Sequence, residues 1–301
     1  MSKQTQQQRY QTAVESFVDK VRGDPNVIAV IVYGSVAQGT VWEKSDVDII
    51  VVVRDQKLAN TNYGIYEDNI TFGLDICQRS DLRRMVEKSL GGSFGHSLNA
   101  TSKIVFTCDE SLYEYFEDAK RIGRSDMERG VFDMANDIIG MMEKVEKWLV
   151  VKRDPEYARL YLIKAVEAIA RLEVIRNYQV PTREAILQAE AINPSLMETF
   201  YREPMSRRMA EGEIRGLLHK MDGYVMSQID TIMDVIREFF GDGEVKTGTM
   251  ITKHFGYEMH MMHSILDYLS ERGYLDKVSQ TIRITPKSKL AVEEVAYIMP
   301  Q

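Results

Sequence analysis

Two apolar runs separated by a short polar stretch constrain the fold of this chain most strongly. Residues 27–32 and 46–53 are rich in Val and Ile, which is typical of strands that are buried on both faces. Gly34-Ser35 follows the first run, and Asp46 and Asp48 open the second. Because residues two apart on a strand point to the same face, we expect these two carboxylates to converge. Hard oxygen ligands beside a small-residue turn predict a Mg²⁺ site that holds a nucleotide triphosphate.

Small residues next to the two acids can bring phosphate oxygens close to the backbone. Gly34 and Ser35 leave room for backbone N–H groups, and the Ser35 hydroxyl offers one more donor. Lys44 and Ser45 precede the acid pair and are candidates for phosphate contacts, although a role in the turn explains them equally well. The sequence therefore predicts nucleotide-binding residues at both ends of the polar stretch.

A third acid occurs in a later apolar run. Asp75 lies between Leu74 and Ile76, in a stretch whose composition otherwise favours burial. An unpaired carboxylate is costly to bury, so Asp75 requires a partner, and a metal ion shared with Asp46 and Asp48 would provide one. A strand acid held by a salt bridge is the alternative interpretation.

The order of the predicted elements changes twice along the 301 residues. Over residues 1–122, strands alternate with helices, and Asp68-Asn69 is placed as the turn of a hairpin; this predicts an α/β domain. Residues 123–240 show helical periodicity and no convincing strand, so an all-α domain is expected there. Its predicted helices are at 126–152, 156–178, 183–192 and 205–240, the last with a break near Gly223.

Residues 241–301 show a third pattern, in which two helices precede a β-hairpin. The predicted elements are helices at 248–254 and 257–271, strands at 274–275 and 281–284, and a final helix that begins at Thr285-Pro286. This order resembles a small winged-helix domain.

The predicted helix over residues 156–178 has a polar stripe opposite its apolar face. Within this stripe, Glu167 is a candidate general base, and Lys164 and Arg171 are candidates for phosphate contacts. A solvated stripe is the alternative, because Glu167 and Arg171 are four residues apart and form a favourable helical ion pair.

The set formed by Gly34-Ser35, ten intervening residues, Asp46 and Asp48, and then Asp75 on a later strand resembles the nucleotidyltransferase superfamily typified by DNA polymerase beta. With a helical domain following, the chain is most similar to antibiotic nucleotidyltransferases and their bacterial relatives. The resemblance implies an α/β (α+β) domain with a mixed sheet. It also implies two Mg²⁺ ions bound by the three acids, and a triphosphate held by Gly34 and Ser35.

The same resemblance implies a reaction. A hydroxyl of a small-molecule acceptor would attack the α-phosphate of a nucleoside triphosphate, and pyrophosphate would leave. Two alternatives stay open: nucleotidyl transfer to RNA or protein, and a non-catalytic nucleotide-sensing regulator with a winged-helix domain that binds DNA or protein.

Composition narrows the choice of partners. The formal net charge of -7 argues against a large nucleic-acid surface and is compatible with a cationic small substrate. The segment 245–301 carries seven Lys and Arg against six Asp and Glu, so packing or homodimer formation is favoured there over DNA reading. The polar N-terminus and the lack of a long apolar run predict a cytoplasmic protein without a membrane span.

Overall fold

The computed structural model describes residues 5–88 and 94–300. Contacts between backbone positions divide the chain into two compact units. The first comprises the chain up to Asp126 together with Tyr178–Arg183, and the second comprises Met127–Asn177 and the chain from Glu184 on.

The first unit is built on the mixed sheet that the resemblance implied. Its strands are β1 (Val27–Tyr33), β2 (Val47–Val53), β3 (Asn62–Glu67), β4 (Ile70–Gln78) and β5 (Lys103–Thr107), in the spatial order β3-β4-β2-β1-β5. Strand β1 is antiparallel to both of its neighbours, whereas β2 and β4 are parallel. The helices are α1 (Gln6–Val21), α2 (Gly34–Gln38), α3 (Arg79–Lys88), α4 (Phe94–Thr101) and α5 (Ser111–Asp118).

Apolar side chains cover both faces of this sheet. On one face, α1 buries Tyr10, Val14 and Phe17, and the Phe17 ring stacks on Phe72 of β4 with the ring centroids 5.7 Å apart. Helix α1 forms because its apolar residues recur at helical spacing and Thr5 caps its first turn. The other face packs against a separate cluster from α3 and α5. Burial on both faces explains the continuous apolar composition of β1 and β2.

Strands β3 and β4 form the predicted hairpin. Asp68 and Asn69, at its tip, have φ angles of 52° and 60°. This left-handed pair matches the right-handed twist of the flanking strands and is favoured for Asn and Asp. The turn fixes a register in which Asn62 lies opposite Asp75.

The second unit begins with a long run of helices. They are α6 (Arg124–Val150, which starts in the first unit), α7 (Pro155–Arg176), α8 (Ala185–Ile192), α9 (Pro194–Met197), a π-helical turn (Glu198–Arg202), α10 (Glu203–Ser206), α11 (Glu211–Met226) and α12 (Ile229–Phe240). The break predicted near Gly223 lies instead between α11 and α12, at Ser227 and Gln228, so Gly223 is accommodated inside a helix. Among the described residues, no helix combines the length and the apolar character that crossing a bilayer requires.

The C-terminal segment contains β6 (Lys246–Thr247), α13 (Gly248–Phe255), α14 (Met259–Glu271), β7 (Asp276–Ile282) and β8 (Val292–Ile298). The three strands form a sheet in the order β6-β8-β7. The prediction of a final helix from Thr285-Pro286 is wrong, because those residues lie in the turn between β7 and β8. Thr285 and Ser288 hydrogen-bond to each other within this turn. The Val, Tyr and Ile side chains of β8 favour an extended strand.

Polar contacts hold this segment against α6 within the second unit. The Arg129 guanidinium donates to Asp133 and to the Phe255 carbonyl oxygen, at 3.1 and 2.8 Å. The Tyr257 hydroxyl donates to the other oxygen of Asp133 at 2.9 Å. The winged-helix interpretation of residues 241–301 stays a prediction.

Candidate nucleotidyl-transfer site

The candidate site begins where β1 ends. Tyr33, the last residue of β1, lies opposite Asp48 in the antiparallel pair with β2, and Gly34 follows directly. Gly34 has a φ of +69°, and a Cβ on it would lie only 2.5 Å from the Asp48 Oδ2 atom. On the other side, a Cβ on Gly73 would lie 3.5 Å from Oδ1. The first distance is a clash and the second an ordinary contact, so the Asp48 carboxylate occupies space that the missing side chain of Gly34 leaves open.

The glycine–serine pair lies at the start of a short helix. Helix α2 begins at Gly34, so Ser35 lies in its first turn. The Ser35 carbonyl oxygen accepts a hydrogen bond from the Thr40 N–H, which closes the turn after the helix. Helix α2 has only five residues, which keeps the polar stretch between β1 and β2 compact.

Asp75 lies on β4, which runs parallel to β2. Its partner in the register is Ile50, two residues beyond Asp48, so Asp48 and Asp75 belong to the same face of the sheet. Two donors hold the Asp75 carboxylate: the Tyr33 hydroxyl at 3.0 Å from Oδ2 and the Asn62 side-chain amide at 2.6 Å from Oδ1. We expected a buried Asp75 to need a partner, and two neutral side chains, Tyr33 and Asn62, serve as partners in the structure.

Asp46 does not lie on the strand. Strand β2 begins at Val47, so the prediction that a strand carries both Asp46 and Asp48 is wrong for the first of them. Asp46 is exposed, whereas Asp48 is half-buried. The turn that precedes Asp46, rather than the alternation of a strand, determines its direction.

The three acids nevertheless interact electrostatically. Burial raises the pKa of the Asp48 carboxyl, and the negative charges of Asp46 and Asp75 raise it further. Burial also raises the pKa of the Tyr33 hydroxyl, with further contributions from its hydrogen bond to Asp75 and from the charges of all three acids. The end of the sheet thus concentrates negative charge.

Arg183 places a positive charge near Asp48. It belongs to the segment Tyr178–Arg183, which packs with the first unit although it follows α7 in the sequence. Val180 and Pro181 are buried, whereas Arg183 is exposed. The Arg183 charge acts in the opposite direction and offsets part of the increase in the pKa of Asp48. No local pattern in the sequence pointed to Arg183, because chain folding alone brings it to the site.

The donor chemistry of the site suits Mg²⁺. Carboxylate oxygens are the ligands that this ion prefers, and a divalent cation would relieve the repulsion among Asp46, Asp48 and Asp75. Across residues 5–88 and 94–300, however, no three His, Cys, Asp or Glu side chains are arranged to hold a metal ion together. The negative charges of Asp46 and Asp48 suit the ion, and its binding by Asp46, Asp48 and Asp75 stays a prediction.

The two residues before Asp46 have defined contacts. The Ser45 hydroxyl oxygen accepts a hydrogen bond from the Trp42 N–H at 3.0 Å, which gives Ser45 a role in the turn. The Lys44 ammonium lies 5.7 Å from the centre of the Trp42 ring. Phosphate contacts by Lys44 and Ser45 stay predictions.

The three candidates on α7 belong to the second unit. Arg171 donates to Glu167 at 3.0 Å, so the helical ion pair expected from their spacing is present, and the Glu167 side chain is 61% exposed. The Lys164 ammonium lies 4.8 Å from the centre of the Tyr161 ring. The roles proposed for these residues in catalysis and phosphate binding stay predictions.

Known proteins resemble this chain in sequence over one region and in fold. Residues 15–111 match the family described as Polymerase beta, Nucleotidyltransferase. A solved structure of a nucleotidyltransferase-like protein from Exiguobacterium sibiricum has a similar fold, with a TM-score of 0.65 and 15% sequence identity over 96% of this chain and 99% of that one. No curated protein matches the chain. Residues 15–111 are therefore a nucleotidyltransferase domain of the polymerase beta superfamily, which makes the chain a transferase.

Proposed function

We propose that the chain is a Mg²⁺-dependent nucleotidyltransferase that moves a nucleoside monophosphate from a nucleoside triphosphate to a hydroxyl of a small-molecule acceptor. The observation that carries this proposal is the concentration of Asp46, Asp48 and Asp75 around one end of the sheet, directly beside Gly34-Ser35. Such a cluster is unfavourable by itself and becomes favourable when cations and phosphates occupy it.

Each residue has a chemical role in this proposal. Asp46 and Asp48 would hold the cation, and Gly34 and Ser35 would contact the triphosphate through backbone N–H groups and the serine hydroxyl. When bound, Mg²⁺ would neutralise charge on the phosphates and lower the pKa of the acceptor hydroxyl. The Tyr33 hydroxyl and the Asn62 amide orient the Asp75 carboxylate, whose charge they stabilise.

The proposed reaction forms one bond and breaks another. The acceptor oxygen bonds to the α-phosphorus, the bond between that phosphorus and the bridging oxygen to the β-phosphate breaks, and pyrophosphate leaves with the bonding pair. The hydroxyl proton passes to a base, for which Asp75 and Glu167 are the candidates in this chain. Holding the acceptor hydroxyl close to the α-phosphorus would account for much of the rate enhancement.

A small acceptor is favoured over RNA. The net charge of -7 provides no general attraction for a polyanion, and it suits an acceptor that carries amines as well as hydroxyls. We therefore extend the proposal to acceptors of the kind that antibiotic nucleotidyltransferases modify.

The decisive experiment follows labelled nucleotide transfer to a panel of hydroxylated small molecules, RNA and protein, with Mg²⁺ and with chelator. We expect label on a small acceptor only when Mg²⁺ is present. Asp46→Asn and Asp48→Asn should each lower transfer about 1000-fold, since each replaces a charged carboxylate ligand to the ion by a neutral amide. Asp19→Asn is the matched control, because Asp19 lies on α1 and pairs with Arg22 at 2.9 Å. Full activity in Asp48→Asn would contradict the mechanism.

The proposed base on α7 needs its own test. Glu167→Gln would lower the transfer rate about 100-fold or more if the carboxylate accepts the proton. Glu190→Gln is the matched control, since Glu190 also pairs with an arginine, Arg202, at 2.7 Å. Equal activity of the two variants would identify the Glu167–Arg171 pair as a surface ion pair alone.

We also infer a homodimer, formed through the helical or C-terminal segment, as the state of the protein in solution. Light scattering coupled to size-exclusion chromatography would test it. A mass equal to one chain, 34.6 kDa, across the accessible concentration range would contradict this proposal.

A further inference from the structure

The turn that leads into Asp46 exposes a large aromatic side chain. Trp42 is 58% exposed, although tryptophan is among the residues that bury the most apolar surface when folded. An exposed indole of this kind is common where a protein contacts a partner or a ligand. Its position two residues from Lys44 and four from Asp46 places it at the edge of the proposed nucleotide site.

Hydrogen bonds fix the backbone of this turn. The Ser45 N–H donates to the Trp42 carbonyl oxygen at 3.0 Å, and the Trp42 N–H donates to the Ser45 hydroxyl at 3.0 Å. The hydroxyl of Tyr10, a residue only 2% exposed, reaches the Ser45 carbonyl oxygen at 2.6 Å and the Trp42 carbonyl oxygen at 3.3 Å. The indole is therefore presented from a rigid support, which reduces the entropy lost when it binds a ligand.

The geometry of the turn limits how far Trp42 lies from the acids. In a turn closed by this hydrogen bond, the first and last Cα atoms lie within about 7 Å. The next Cα atom along the chain, that of Asp46, is about 3.8 Å further. The Trp42 backbone thus lies within roughly 11 Å of the Asp46 backbone, a range that the ribose and base of a bound nucleotide can span.

We infer that Trp42 is the surface on which the base of the nucleotide stacks, an inference that rests on the proposed function. The base is tethered to the α-phosphate through the ribose, so it must lie close to wherever that phosphate meets Asp46 and Asp48. An indole stacks on any nucleobase, because every base presents a π-face. Lys44, whose ammonium lies 5.7 Å from the ring centre, adds a donor for the nitrogen and carbonyl acceptors at the edge of the base.

The base is a better occupant of this surface than the acceptor. A hydroxylated acceptor needs no planar ring, whereas every nucleoside triphosphate has one. A second argument is sequence position, since Trp42 lies between the residues proposed for the phosphates, Gly34-Ser35, and those proposed for the metal, Asp46 and Asp48.

The chain offers a direct spectroscopic test, because it contains two tryptophans. Trp148 lies on α6 and packs on Tyr157 with ring centroids 4.0 Å apart. In Trp148→Phe, all tryptophan emission comes from Trp42, and in Trp42→Phe all of it comes from Trp148. We expect α,β-methylene nucleoside triphosphates with Mg²⁺ to change the emission of Trp148→Phe and not that of Trp42→Phe. Inorganic tripolyphosphate should change neither.

Calorimetry gives an independent measurement on the same probes. Trp42→Leu should raise the dissociation constant of the α,β-methylene nucleotides roughly 5- to 100-fold, which corresponds to the loss of one base stack. Its dissociation constant for tripolyphosphate should stay within about twofold, because that ligand has no base. Trp42→Phe should retain most of the nucleotide affinity. The exposed position makes a folding defect unexpected, and circular dichroism would verify the fold.

Two negative results have different meanings. If the wild type binds the nucleotides, but Trp42→Leu binds them equally well and the Trp148→Phe emission does not change, the stacking role is overturned and the proposed function stands. If the wild type binds no nucleotide with Mg²⁺, both are overturned.

Discussion

Gly34 and Asp48 approach each other so closely that no side chain fits between them: a Cβ at position 34 would lie 2.5 Å from the Asp48 Oδ2 atom. The φ of +69° at Gly34 is a second reason for glycine there. The carboxylate that is proposed to bind the cation is thus positioned by the same residue that begins the phosphate turn.

This contact leads to a paired prediction. Gly34→Ala and Gly39→Ala both place alanine in left-handed backbone, at φ values of +69° and +76°, and each should cost about 1 kcal/mol of unfolding free energy. Only Gly34→Ala displaces the Asp48 carboxylate, since a Cβ at Gly39 meets nothing within 4 Å. We expect transfer to fall about 100-fold in Gly34→Ala and less than threefold in Gly39→Ala. Equal losses in the two variants would show that backbone strain is the whole effect.

Arg183 should affect cation and nucleotide binding in opposite directions. Its positive charge stabilises the Asp48 carboxylate and would repel Mg²⁺ while attracting a triphosphate. Arg183→Gln should therefore bind Mg²⁺ alone a few-fold more tightly and a Mg²⁺–nucleotide complex about fivefold more weakly, as measured by calorimetry. Arg22→Gln, in which the altered residue pairs with Asp19, is the control of equal charge. Changes of the same sign for both ligands would exclude this electrostatic role.

Tyr33 should act through Asp75. Tyr33→Phe removes one of the two donors to that carboxylate, and a hydrogen bond to a charged acceptor contributes about 2 kcal/mol, which corresponds to at most roughly a 30-fold loss of transfer. In an Asp75→Asn background the same substitution should have little further effect, because the charged acceptor is already missing. Tyr63→Phe, on the exposed part of β3, is the control. Additive effects in the double variant would mean that Tyr33 acts independently of Asp75.

His96 makes the stability of the first unit depend on pH. Burial lowers the pKa of His96, although its hydrogen bond to the Ala119 carbonyl oxygen at 2.8 Å opposes that shift. The unfolded chain therefore takes up a proton more readily, and stability falls as the pH decreases through about 6.5 toward the lower folded pKa. The loss is at most about 1.4 kcal/mol for each pH unit. The difference between the urea midpoints at pH 7.5 and pH 5.5 should be smaller for His96→Gln than for the wild type. An equal difference in the two proteins would contradict this account.

The sequence was most informative where local patterns and the fold agree. The Val and Ile runs predicted β1 and β2 because strands buried on both faces have few other compositions, and Asp68-Asn69 predicted the hairpin because its φ angles suit those residues. The position of Asp48 beside Gly34-Ser35 followed from the same runs. These features depend on residues that are close together in the chain.

Features that depend on distant residues were not predicted. Arg183 reaches the site because Val180 and Pro181 are buried, and nothing near Asp48 in the sequence indicates this. Asn62 contacts Asp75 because the hairpin register places the two residues opposite each other. Sequence periodicity alone does not reveal this contact. Strand β8 was mistaken for part of a helix because Thr285-Pro286 is a good helix start as well as a good turn, and only the pairing of β8 with β7 and β6 decides between them.

The left-handed pair at the tip of the β3–β4 hairpin has a consequence for the distant acid. Asp75 lies seven residues from Asp68, roughly 23 Å along an extended strand. Strand β4 is also paired with β2, so one residue inserted at this tip would shift the mostly exposed edge strand β3 and leave β4 in place. Asn62 would then no longer lie opposite Asp75, and the carboxylate would lose that donor although the core stays packed. A solvent-facing bend thus controls the orientation of an acid at the other end of the strand.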